Sequence, residues 1–160
     1  MAAPPDGTSA LEHDVLIDAD PETVFDHFTD PSKLVRWMGA EATVDPRPGG
    51  VCRVAFMPGV AMSGEFVEVD RPRRLVVTWG WENDLFAVPP AATTVEVDLV
   101  PEGDRTRVRL THRRIPEVAV RFHRAGWEHY CERLAVVAAG GDPGPDVAPG
   151  VSDPTLIPRT

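Results

Sequence analysis

The sequence predicts an α+β domain in which a curved antiparallel sheet of about six or seven strands wraps around one long C-terminal helix. Three observations lead there. Residues 115–139 carry an apolar period of roughly 3.6 residues that puts Val120, His123, Trp127, Tyr130, Cys131, Leu134 and Ala138 on one stripe. Residues 93–100 and 105–112 alternate apolar and polar positions around Glu102-Gly103-Asp104, the pattern of a hairpin with one dry face. Two short helical stretches follow the first strand, and nothing else in the chain is long enough to cover the dry face.

The chain opens its ordered part with strand 11–17, which places Leu11, His13, Val15 and Ile17 on one side. Asp20-Pro21 starts a short helix, with Asp20 as cap and Val24, Phe25 and Phe28 as its apolar face. Asp30-Pro31 ends it and leads to a second short helix over 32–38 carrying Leu34, Val35 and Trp37. Strands are expected at 41–44, 51–57, 63–70 and 74–81, separated by the Pro48-Gly49-Gly50, Pro58-Gly59 and Arg71-Pro72-Arg73 turns. The Arg71, Arg73 and Arg74 cluster reads as a solvated corner. Residues 82–90 form an irregular loop holding Leu85, Phe86 and Val88. Pro116 opens the long helix and Gly140-Gly141 stops it. Its back carries Val118 and Phe122, positions that the tail or a second copy of the chain would cover, so a homodimer stays open.

By this reading residues 1–10 are a mobile lead-in, 11–139 the domain, and 140–160 an extended Gly/Pro-rich tail in which Leu156 and Ile157 could dock. The chain has 160 residues, 42% of them hydrophobic, enough for one real core. Its net charge of -9 argues against nucleic acid or an anionic membrane as partner. No apolar run reaches a membrane span and no secretory pattern opens the chain, so a cytoplasmic location is expected. Two cysteines, Cys52 and Cys131, are too few for a disulfide scaffold and are expected to stay reduced.

The segment Asp20-Pro21-Glu22-Thr23-Val24-Phe25, then Thr29-Asp30-Pro31 and Trp37, resembles the opening of the START-like (SRPBCC) superfamily. Pro48-Gly49-Gly50, the stretches 64–69 and 74–79, Leu110-Thr111-His112 and Gly126-Trp127 come next, in that superfamily's order. Within it the chain most resembles the branch of heat-shock chaperone ATPase activator homologues, over about residues 11–138. The resemblance implies a helix-grip fold with a hydrophobic cavity between helix and sheet. It also implies a choice among ligand carriers, polyketide cyclases, self-resistance proteins and chaperone regulators of the stress response, because fold does not fix function. The tail has no counterpart in the family core, and no shared catalytic residue carries over.

Trp37, Trp79, Trp81, Phe86, Trp127 and Tyr130 are the candidates to line such a cavity for a flat apolar ligand, the competing reading being that they fill the core. His112 continues the inward parity of Val108 and Leu110, and His123 lies on the helix stripe with Trp127, so both are candidate ligand or catalytic groups. The alternative is two core histidines satisfied by backbone or by each other. Metal binding is not expected: His123, His129 and Cys131 diverge on a helix, and no CxxC or HxxxH spacing occurs. Gly49-Gly50 opens a strand and is not a phosphate loop. Cys131 reads as a small core residue. The leading expectation is a non-catalytic, cofactor-free binder of a hydrophobic small molecule. The alternatives are a cyclase or hydratase using a cavity histidine, and a module that modulates a chaperone.

Overall fold

The computed structural model describes residues 7–158. Its elements run β1 (Thr8–Ile17), α1 (Pro21–Thr29), α2 (Pro31–Leu34), β2 (Glu41–Val44), β3 (Val51–Met57), β4 (Val60–Asp70), β5 (Arg74–Trp79), β6 (Thr93–Glu102), β7 (Arg105–Pro116), α3 (Val120–Ala138) and α4 (Pro149–Ser152). The strands form one antiparallel sheet in the order β1-β7-β6-β5-β4-β3-β2. This is the helix-grip arrangement, with α3 held against the inner face. Residues 1–6 of the expected mobile lead-in lie outside the described residues, and its last three belong to β1.

The alternation that predicts the hairpin is kept in three dimensions. Val95, Val97 and Leu99 on β6 and Val108, Leu110 and His112 on β7 are buried, while Glu96, Asp98, Arg107 and Arg109 face outward. On that outer side Arg74 meets Glu68, Glu96 and Asp98 at 2.6–2.9 Å. Arg71 pairs with Glu22 and Asp26 of α1 and lies 5.0 Å over the Phe25 ring. Arg71 is therefore a clasp between α1 and the β4–β5 turn and Arg74 a hub on the outer sheet face, while Arg73, paired with Asp70 of its own turn, keeps to the solvated corner expected for all three.

The long helix begins later than its periodicity suggests. β7 continues to Pro116, a 3₁₀ turn spans Glu117–Ala119, and α3 starts at Val120. The cause is a bulge: Ser9 pairs with Ile115 but Leu11 with His112, so an extra residue is accommodated beside Arg114, whose φ is +65°. The bulge flips the inward parity from His112 to Ile115, and in sequence that break looks like a helix start. α3 is thus 19 residues long, about 28 Å. Similarly, the second helix, expected over 32–38, closes at Leu34 and continues as tighter turns that bring the Trp37 indole N–H to the His27 carbonyl at 2.8 Å. Strand β4 starts at Val60, three residues before the expected Ser63, because Pro58-Gly59 is a tight hairpin pairing Met57 with Val60.

The chain after Ala139 is not wholly extended. It turns back along α3, forms α4 with a proline at its start, and ends in a 3₁₀ turn over Pro154–Leu156 capped by Asp153. Gly150 meets Phe122 there, so of the two partners open to that helix face it is the tail that covers Phe122; Val118 remains exposed.

Candidate functional site

Strand β5 ends at Trp79, two residues short of the expected 81, and the reason is Gly80. A Cβ at Gly80 would lie 1.7 Å from the Pro89 carbonyl oxygen, so only glycine lets residues 82–90 fold back over the strand end. Trp81 is then fixed by a bridge to Met62 and by its backbone N–H on the Val88 carbonyl, 2.8 Å. Within the returning loop Asn83, Asp84, Phe86 and Ala87 all have positive φ, 53° to 63°. Asn and Asp accept that conformation readily, whereas for Phe86 and Ala87 it costs on the order of 1 kcal/mol each. The strain turns Phe86 onto Trp81, 4.8 Å edge to face, and onto Phe122 of α3, 4.3 Å and nearly parallel.

Under this aromatic bridge lies a cavity of about 300 Å³ between α3 and the β3–β5 side of the sheet. Phe56, Trp79, Trp81, Phe86, Trp127 and Tyr130 make its aromatic walls, and Met38, Met57, Val60, Leu85 and Phe122 add aliphatic and aromatic surface. Gly126 forms its helical floor: a Cβ there would meet nothing within 4 Å. The last wall comes from the returning tail, through Ala148, Pro149, Gly150, Val151 and Ile157.

Polar groups around the cavity are tied up in two short chains. The Trp81 indole N–H donates to His123 Nε2 (3.0 Å), which leaves His123 Nδ1–H to donate to the Ala119 carbonyl (2.8 Å). Likewise the Trp127 indole N–H donates to His112 Nδ1 (3.0 Å), His112 Nε2–H reaches Thr93 Oγ1 (2.7 Å), and Thr93 donates to the Trp79 carbonyl (2.7 Å). The two imidazoles stand perpendicular, 5.2 Å apart. Burial holds His123 down to about 4, opposed only by its bond to Ala119; burial, then the neighbouring His123, push His112 well below the ordinary imidazole range. Both rings are therefore neutral at pH 7 with every nitrogen committed. The Trp79 indole N–H, by contrast, is buried without a partner among the described residues.

Of the eight residues singled out from sequence, the structure brings Trp79, Trp81, Phe86, His123, Trp127 and Tyr130 together around the cavity. Trp37 and His112 are not among its lining. Trp37 packs edge-on against Phe28 at 5.2 Å, in the core beneath α1 and α2, and His112 lies behind Trp79 and Trp127. Met38, Met57, Val60, Leu85 and the tail residues are lining that sequence reasoning did not assign, and so are Phe56, Phe122 and Gly126. Two signals pointed to them: Phe56 shares the inward parity of Cys52 and Val54, and Phe122, Gly126 and Tyr130 recur every fourth residue. Cys52 and Cys131 are free and buried, and burial pushes both thiols up to about 12, far from nucleophilic reactivity. Among the described residues no three His, Cys, Asp or Glu side chains gather as metal ligands, and no helix is long and apolar enough to cross a membrane.

A bent antiparallel sheet gripping a C-terminal helix beside an apolar cavity defines a START-like helix-grip domain. This chain belongs to the Activator of Hsp90 ATPase homolog 1-like family, whose model matches residues 18–139. Among solved structures it is similar to an AHSA1-like protein of Rhizobium etli, with 41% identity over 87% of each chain and a TM-score of 0.70. It is also similar to CalU16 of Micromonospora echinospora (28% identity, 82% of this chain and 76% of that one, TM-score 0.66). An HSP90 activator of Plasmodium falciparum matches at 26% identity over 80% of this chain and 94% of its own, TM-score 0.68. A search of curated proteins found no match. Residues 140–160, including the tail wall of the cavity, lie beyond the family match.

Proposed function

We propose that this protein binds a hydrophobic small molecule, flat and partly aromatic, in the cavity between α3 and the sheet, and does so without transforming it. The observation that carries this reading is the cavity itself, about 300 Å³ walled by aromatic and aliphatic side chains. A guest burying about 200 Å² of carbon there gains about 5 kcal/mol at 25 cal/mol per Å², part of which offsets the cost of association. The neutral, fully bonded histidines support binding over turnover: neither ring offers a free nitrogen to move a proton. Residue by residue, Trp79, Trp81, Phe86, His123, Trp127 and Tyr130 are the proposed ligand-binding set.

The test uses 1-aminoanthracene, a flat apolar fluorophore. One molecule per chain is expected to bind with micromolar affinity, and Gly126→Leu, which extends a side chain from a position where a Cβ meets nothing within 4 Å, is expected to weaken it at least twentyfold while circular dichroism stays unchanged. Equal affinity in the folded Leu variant sinks the assignment. Native mass spectrometry of protein purified from its source would then identify the natural guest. A second reading, regulation of a chaperone ATPase, is favoured by the likeness to an HSP90 activator. It requires salt-sensitive stimulation of a purified Hsp90 ATPase by this chain.

A further inference from the structure

The tail wall of the cavity is attached differently from the rest. Gly141 N–H bonds to the Val136 carbonyl at the end of α3, but over 148–157 the backbone hydrogen bonds among the described residues stay within the segment. Its bonds to the body cluster at 143–146. Asp146 accepts from the Tyr130 hydroxyl at 3.0 Å and meets His129 Nε2 at 2.7 Å. Arg133, itself held on the Trp37 carbonyl at 3.1 Å, donates to the Gly144 carbonyl at 3.0 Å. The cavity-facing half beyond this catch rests on Phe122 and its surroundings through apolar contact. Gly140 and Gly144, both at positive φ, flank the start of the segment.

We propose that residues 142–157 form a hinged cover for the cavity, with Asp146 as its catch on Tyr130 and His129, and that lifting this cover admits and releases the guest. The inference rests on the small-molecule reading for its purpose but not for its geometry. The cover also sets which guests fit, since the wall it supplies is absent from the stretch shared with the family. A guest with a longer apolar end would displace Val151 and Ile157 first among the tail residues, because they are the exposed part of that wall, each more than a third exposed.

Two full-length variants test it from opposite ends: Asp146→Ala removes the catch, and Ile157→Asp puts a charge into the apolar seat. In both, acrylamide quenching of tryptophan fluorescence is expected to rise, because Trp79, Trp81 and Trp127 line the covered space. Stopped-flow association and dissociation of 1-aminoanthracene are both expected to accelerate, by about tenfold or more for Asp146→Ala, which loses charge-assisted hydrogen bonds, and by more than twofold for Ile157→Asp, which loses apolar seating. Quenching and rates within twofold of the parent protein in both variants overturn the cover. If quenching rises while 1-aminoanthracene fails to bind even the parent protein, the cover stands and the small-molecule reading falls.

Discussion

His123 shows how a polar group can line an apolar cavity without serving as its chemistry. Its ring joins an α3 backbone carbonyl to the Trp81 indole, so it fixes the wall that the guest touches. Replacing it with Phe strands the buried Trp81 indole N–H and should cost about 1–3 kcal/mol by urea unfolding. A loss under about 0.5 kcal/mol, the usual size for a surface change, would mean that these bonds do not hold the wall. Gly126 makes the opposite statement, since an open mid-helix position with room for a side chain normally favours alanine. Gly126→Ala should stabilise the empty protein by up to about 1 kcal/mol in thermal unfolding while weakening 1-aminoanthracene several-fold. A variant neither more stable nor weaker in binding would show that the missing methyl has no role in the site. That both histidines share one interior was legible from strand parity and helix stripe. Their partners were not, because indole donors reach them from residues 15 and 42 positions away in the chain.

At the scale of elements, alternation and caps carried the reading, and irregular backbone limited it. Six of the seven strands both start and end within three residues of their expected bounds, because burial on one face imposes a period that the residues display. β7 overruns its expected end by four residues, since a bulge at Arg114 reverses parity without any glycine or proline to announce it. The 82–87 turn was visible only as irregularity: no residue pattern announces Phe86 and Ala87 in left-handed backbone, which Gly80 and the packing of Trp81 enforce. Ala87→Gly should therefore raise stability by about 0.5–1 kcal/mol, as relief of that conformation outweighs the added chain entropy. A lowered urea midpoint would show that Ala87 is not strained. For the tail, docking through Ile157 and cover for Phe122 were legible, but its path and turns were not, because their order comes from Asp146, Arg133 and Phe122 contacts instead of its own propensity.

Taken whole, the molecule separates an ionic outer sheet face from a dry interior holding neutral imidazoles, and its response to acid follows from that. The unfolded chain takes up protons on histidine near pH 6.5, while His123 resists until about pH 4 and burial also holds His112 well below the ordinary range. Stability from this source is complete above pH 6.5 and is lost as pH falls towards 4, by about 3 kcal/mol for His123 alone. The urea midpoint should fall between about pH 7 and 4.5, before the ion-paired carboxylates protonate, and His123→Gln should flatten that slope. A midpoint constant across this interval would mean that the imidazoles are charged or solvated in the folded state. Gly80 has a consequence of its own. By allowing strand and loop to pinch together, it makes the 82–90 loop one detachable fitting on the sheet chassis, and the final helix-turn segment, joined after α3, is a second. Grafting those two fittings from a relative onto this chassis should transfer ligand preference while the melting profile of the chassis persists.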